Sequence, residues 1–173
     1  MEAGAIAEIG TGAGNIAAAI AKERPHTEIT ATDVSRRALG IARKNLERLG
    51  IPNVRLLQGP LYHPFRDLGP GLQFDFILSN PPYISEAEWK NLPSEVRDYE
   101  PKRALVSGPT GLEIISKLIK GAPEFLTSGG FLIFEIGIGQ KESVLSLFPD
   151  SWSSVASYDD LAGIPRIIQA RLL

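Results

Sequence analysis

The chain has 173 residues, 18 of them basic and 20 acidic, for a formal net charge of −2, and 43% are hydrophobic. That is enough for one well-buried domain and short for two. It excludes wholesale disorder, and no apolar run is long enough to span a bilayer. Cysteine is absent, and His26 and His63 are the only imidazoles. Disulfides and thiolate metal sites are therefore excluded, a metal centre is not expected, and the even charge argues against a protein that holds nucleic acid by field strength. Met1-Glu2-Ala3-Gly4 has neither a basic n-region nor an apolar h-region, so no secretory signal is read there and a cytoplasmic location is expected.

The first strand is expected at once, from Ala5 to Ile9. A sequence that opens on a central strand is expected to lack an upstream domain. Ile16 to Lys22 is alanine-rich and helix-prone, and Pro25 stops it. Glu28 to Thr32 alternates and carries β-branched residues, as a short strand does. Ser35 is placed to cap a helix running to Leu49, with Leu39, Ala42, Leu46 and Leu49 on one face and Gly50 as its stop. Strands follow at Val54 to Leu57 and Phe74 to Leu78. Ile84 to Pro109 reads as polar and irregular. Gly111 to Leu126 reads as a helix, kinked or shortened by Gly121 and Pro123. Ser128-Gly129-Gly130 then turns into a strand from Phe131 to Ile136, and Gln140 to Leu147 is helical. Trp152 to Tyr158 and Arg166 to Leu172 close the chain as a pair of strands. The alternation predicts a mostly parallel sheet with helices on both faces and one antiparallel strand near the end. Ligands in such sheets lie beyond the carboxyl ends of the strands.

Two clusters fall at such ends. Glu8-Ile9-Gly10-Thr11-Gly12-Ala13-Gly14 joins the first strand to the first helix, and its glycines permit close backbone approach to a ligand. A dinucleotide fingerprint would read G-x-G-x-x-G; here the spacing is G-x-G-x-G. Asp33 follows about 20 residues on, where a carboxylate accepts from ribose hydroxyls. An acid at Glu8 suits a ligand bearing a positive amine better than one bearing a pyrophosphate, which favours S-adenosylmethionine over NAD. The second cluster is Asn80-Pro81-Pro82-Tyr83. A planar amide or exocyclic amine is a poor nucleophile, because its lone pair is delocalised. An acceptor for each N–H holds it and favours pyramidalisation as it attacks. The Asn80 oxygen is one acceptor, and a backbone carbonyl, by position that of Pro81, is the second. The prolines stiffen the turn, and Tyr83 can lay its ring against a planar group.

These two motifs and Asp33 together resemble the class I S-adenosylmethionine-dependent methyltransferases. More closely the chain resembles the PrmC/HemK family of release factor glutamine methyltransferases. The resemblance continues through Tyr99-Glu100-Pro101-Lys102-Arg103-Ala104-Leu105, Gly129 to Gly137, and Gly163-Ile164-Pro165-Arg166. It implies a Rossmann-like methyltransferase sheet filling residues 1–173. It also implies methyl transfer to the glutamine amide nitrogen of the Gly-Gly-Gln motif of a peptide-chain release factor. Gly10, Thr11, Gly12 and Gly14 would wrap the cofactor, Glu8 would sit near its amino-acid end and Asp33 on its ribose. Asn80, Pro81, Pro82 and Tyr83 would form the glutamine site, with Asn80 also near the cofactor. Glu100 and Arg166 match family positions for which a loop salt bridge and a direct role both stand open. Two departures accompany the resemblance. Pro60 and Leu61 replace an acid and an aromatic that the family usually places near adenine, and the family's N-terminal helical domain is not in this chain. A nucleic-acid amino-methyltransferase of the same fold ranks second, for want of a basic face. A non-catalytic binding module ranks third.

Overall fold

The computed structural model describes residues 4–173, so the reading of Met1 to Ala3 lies outside the described residues. Strand β1 (Ile6–Ile9) alternates Ile6 and Glu8 with Ala7 and Ile9. The alternation sends Ala7 and Ile9 into the larger apolar cluster and Ile6 towards the smaller one, so both faces of the sheet are buried. Helix α1 (Asn15–Glu23) lays Ala17 and Ala21 on the second face, against Ile29 and Ala31 of β2 (Ile29–Asp33). Helix α2 (Arg36–Leu49) is capped as its sequence requires. Ser35 accepts from the Ala38 amide at one end, and Gly50 takes the left-handed conformation at the other.

Strand β3 (Val54–Gln58), the short helix α3 (His63–Arg66) and β4 (Phe74–Ser79) follow. Beyond β4 come β5 (Ile84–Ser85), α4 (Glu86–Asn91), α5 (Ser94–Arg97), α6 (Lys102–Leu105) and β6 (Val106–Gly108). The stretch expected to be irregular is thus built of small elements. Ser85 and Glu88 form a full capping box at the start of α4, and the proline before Ser94 and that before Lys102 divide the rest. Strands β5 and β6 pair in parallel as a separate small sheet.

Helix α7 is shorter than its periodicity suggested, covering Glu113–Gly121. Pro123 cannot supply the next helical N–H, and the chain passes through a 3₁₀ turn at Ala122–Glu124. Strand β7 (Leu126–Glu135) then begins before Ser128-Gly129-Gly130, a segment whose composition suggests a turn. Leu126 pairs with Phe74 and Phe131 with Phe76, so the extra residues are absorbed as a bulge. Helix α7 buries Ile115, Leu118 and Ile119 completely, about 1.5–3 kcal/mol for each side chain. Helix α8 (Lys141–Leu145), β8 (Trp152–Asp159) and β9 (Pro165–Leu172) complete the chain.

The sheet order is β3-β2-β1-β4-β7-β9-β8. The pairs from β3 to β7 are parallel, and β9 runs antiparallel to both β7 and β8. That is the expected mostly parallel sheet with one reversed strand. Reversal brings the start of β9 to the same edge as the ends of β1, β2, β4 and β7. No helix is long and apolar enough to cross a membrane among the described residues.

Candidate active site

A cleft of about 650 Å³ opens along that carboxyl edge. The loops after four neighbouring strands line it in order: Gly59 to Leu61 after β3, Asp33 to Ser35 after β2, Glu8 to Ala13 on and after β1, and Ser79 to Tyr83 after β4. Glu100, Pro101 and Arg103 to Leu105 add the wall contributed by the segment around α6. Every residue expected to hold cofactor or substrate except Gly14 lines this one cleft. Gly14 stands just behind it as the left-handed cap of α1, where a Cβ would come 3.1 Å from that of Ala42 in α2. Gly10 and Gly12 also have positive φ, and a Cβ on either would meet nothing within 4 Å. They are therefore glycines for the path of the backbone and not for room.

Two carboxylates shape this loop. Glu8 is only 2% exposed. Its Oε2 accepts from Thr11 Oγ1 at 2.7 Å and from the Ala17 amide at 3.0 Å, while Oε1 has no hydrogen-bond partner among the described residues. Burial raises its pKa above the usual carboxylate value, with the bonds from Thr11 and Ala17 opposing and the charge of Asp33 adding to the rise. Asp33 bridges two amides. Its Oδ2 accepts from Gly12 at 2.8 Å and its Oδ1 from Ser35 at 2.7 Å. The acid at the end of β2 thus fixes the glycine loop and the start of α2 together.

The second cluster is held differently. Ser79 Oγ donates to the Ile9 carbonyl at 2.8 Å, locking the end of β4 to the end of β1. Asn80 is exposed, and its carboxamide has no hydrogen-bond partner among the described residues. Tyr83 is anchored at three points. Its hydroxyl donates to Glu135 Oε1 at 3.0 Å, the Arg166 guanidinium lies 5.7 Å from its ring centre, and its carbonyl accepts from Gln140 Nε2 at 2.8 Å. Arg166 in turn sits 3.5 Å from Glu135 and donates to the Ile136 carbonyl at 3.1 Å. Burial, then the neighbouring Glu135, raises the pKa of the phenol, so it stays protonated as a donor. One glycine has a packing reason here: a Cβ on Gly111 would lie 2.5 Å from the Tyr83 carbonyl.

Arg166 does not line the cleft; it pairs with Glu135 and lies over the Tyr83 ring. Glu100 lines the cleft and makes no ion pair among the described residues. Glu135 and Gln140 were not singled out from sequence. The only signal was an acid at the carboxyl end of a buried strand in Phe134-Glu135-Ile136-Gly137. Tyr83 offers less ring surface than expected, since Arg166 lies over it. Among the described residues no group of three or more His, Asp or Glu side chains could hold a metal ion.

The donor set fits an adenosyl sulfonium with an amino-acid tail. The Glu8 carboxylate, with one oxygen unpartnered on the cleft wall, suits an ammonium, Asp33 suits vicinal hydroxyls, and the wall of Val34, Pro60 and Leu61 suits a flat base. A doubly wound sheet with this cleft at its carboxyl edge defines a Rossmann-like methyltransferase domain. A model described as the methyltransferase small domain matches residues 1–95, and the chain belongs to that family. Among curated proteins, it is 40% identical over 171 residues to the release factor glutamine methyltransferase of Geobacter sulfurreducens, covering 98% of this chain and 58% of the relative. It is 44% identical over 166 residues to that of Rhodopirellula baltica, covering 94% of this chain and 55% of the relative. The chain thus spans little more than half the length of these relatives. Among solved structures, TrmN from Thermus thermophilus superposes with a TM-score of 0.70 at 19% identity, over 98% of this chain and 44% of that one. That likeness concerns the fold.

Proposed function

We propose that this domain transfers a methyl group from S-adenosylmethionine to the side-chain amide nitrogen of a glutamine in the Gly-Gly-Gln motif of a peptide-chain release factor, in the cytoplasm. The observation that carries the reading is Asn80, an unpartnered carboxamide on the wall of a cleft that also presents Glu8 and Asp33. The likeness to the named relatives supports the choice of acceptor.

When bound, the cofactor supplies an electrophilic methyl carbon on a sulfonium whose leaving group is a neutral thioether. The residues of the chain do the rest. Gly10, Thr11 and Gly12 would wrap the ligand, with Gly14 behind them holding the turn into α1, and Glu8 would face its ammonium and Asp33 its ribose. Asn80 Oδ1 accepts one amide hydrogen of the incoming glutamine, and the Pro81 carbonyl accepts the other. Held at both hydrogens, the nitrogen is turned out of conjugation towards the methyl carbon as the N–C bond forms. The proton leaves afterwards to solvent water, when the methylated nitrogen has become acidic. Pro81 and Pro82 stiffen the turn, and Tyr83 is clamped by Glu135 and Arg166 so that the peptide cannot swing. Alignment and fixed dipoles supply the acceleration, with no activated nucleophile needed.

The test is transfer of radiolabel from S-adenosylmethionine to a purified release factor, beside a control in which the Gly-Gly-Gln glutamine is replaced. Label in the first and not the second is expected. Label in duplex DNA or RNA and not in the protein would overturn the choice of acceptor.

A further inference from the structure

The side chain of Gln140 meets three loops that are far apart in the chain: the turn after β4, the turn after β7 and the approach to α7. We propose that Gln140 is the positioning residue of the acceptor turn. Its carboxamide holds the segment from Asn80 to Tyr83 in the one conformation that presents the Asn80 and Pro81 oxygens together, and it therefore sets turnover and not cofactor affinity. The inference rests on the proposed function and gives it a residue outside the cleft wall.

The turn itself creates the need. Proline rings fix φ at Pro81 and Pro82 and restrict the residue before each, but ψ of Pro82 is still free. Two oxygens can grip one nitrogen only if both ends of the turn are fixed. Its start is pinned by Ser79, whose hydroxyl donates to the Ile9 carbonyl at 2.8 Å. At its end, Glu135 and Arg166 hold the Tyr83 ring, which two rotatable bonds separate from the main chain. Gln140 Nε2 instead donates directly to the Tyr83 main-chain carbonyl, at 2.8 Å.

Gln140 is itself fixed. Its Oε1 accepts from the Gly137 amide at 2.9 Å, and its own amide donates to the Gly137 carbonyl at 3.2 Å. The two partners dictate which way the carboxamide faces. A main-chain amide can only donate, so it meets the oxygen, and a carbonyl can only accept, so it meets the nitrogen. Two glycines leave the room for it. A Cβ on Gly137 would lie 2.9 Å from Oε1, and one on Gly111 would lie 3.0 Å from Nε2. Gly137 does not take a positive φ, so its missing side chain serves space and not the path of the backbone. Gln140 does not line the cleft, so it acts on the reaction only through the turn it holds.

Turnover counted per cofactor site tests this. Calorimetric titration with S-adenosylhomocysteine counts the folded sites of each variant, and the rate of label transfer to the release factor is divided by that count. Gln140→Met keeps the length of the side chain and removes both bonds. Gln140→Glu keeps its shape and the bond from Gly137, and at neutral pH loses only the donor to Tyr83. In both, kcat per site is expected to fall about tenfold or more, since a misplacement of about 1 Å can cost about 100-fold. The affinity for S-adenosylhomocysteine should stay within about threefold. A residue that serves stability alone would lower the number of sites and leave kcat per site unchanged. That result in Gln140→Glu overturns the inference, whatever Gln140→Met does, and so does a loss of cofactor affinity in Gln140→Glu. Wild-type chain that binds S-adenosylhomocysteine and transfers no label to the release factor overturns the proposed function, and the inference with it.

Discussion

The two loops that face each other across the cleft are rigid for opposite reasons. After β1, the glycine loop is held from inside by acids. Glu8 and Asp33 accept from four groups of the loop and its neighbours, and the two carboxylates most suited to a ligand are also the loop's own scaffold. After β4, the Asn-Pro-Pro-Tyr turn is held from behind by residues far away in sequence, and its leading carboxamide is left untied. On the proposed function the difference separates two tasks. A loop that wraps a ligand can share its acceptors between itself and that ligand. A group that must grip a weak nucleophile has to stand ready with unshared lone pairs.

The sharpest way to break this contrast is Asn80→Ala. Methyl transfer is expected to fall at least about 100-fold, as when one preorganised polar group is removed from a transition state. S-adenosylhomocysteine affinity, by calorimetry, should stay within about threefold. Equal losses in both would place Asn80 on the cofactor side of the division. Asp33→Ala reverses the pattern: binding should weaken by about 1–3 kcal/mol, and unchanged affinity would remove Asp33 as the ribose ligand. Arg166→Ala should lower kcat by about tenfold while cofactor affinity holds, since it frees the Tyr83 ring and leaves the glycine loop untouched. If cofactor affinity falls instead, the two loops are coupled.

The smallest effect concerns stability. The pKa of Glu8 is raised in the fold above its ordinary 4.5, chiefly by burial. A carboxyl so shifted favours the folded state below its unfolded pKa, and this contribution is lost as the pH rises through the folded pKa. Glu8→Gln should therefore raise Tm at neutral pH by about 2–4 °C, a gain of order 1 kcal/mol, and the gain should vanish at about pH 4 and below. A gain that persists in acid would assign it to packing.

Much of this architecture was legible because local chemistry and global fold agree. Ser35 and Gly50 marked both ends of α2, and the glycine cluster and Asp33 marked two of the loops that line the cleft. Other parts were not. Helix periodicity continued through Gly111 to Leu126, and only the pairing of Leu126 with Phe74 shows that a strand has begun there. The α4 capping box, Ser85 with Glu88, was present in the sequence, but no apolar run followed to announce a helix. The clamp on Tyr83 was out of reach for a different reason. Glu135 lies 52 residues away, and no periodicity reports a contact made only when β7 pairs beside β4.

The reversal of β9 carries one further consequence. Because the strand runs against its neighbours, its opening residues and not its closing ones reach the working edge, and Ile136 bonds directly to the Arg166 carbonyl there. The parallel half of the sheet, with the glycine loop and Asn80, can pair before β9 exists. Two of the three anchors on Tyr83, Glu135 and Gln140, precede the closing hairpin in the chain, and only Arg166 arrives with it. A chain stopped short of Pro165 would keep every residue of the cleft wall and still lack the arm that steadies it.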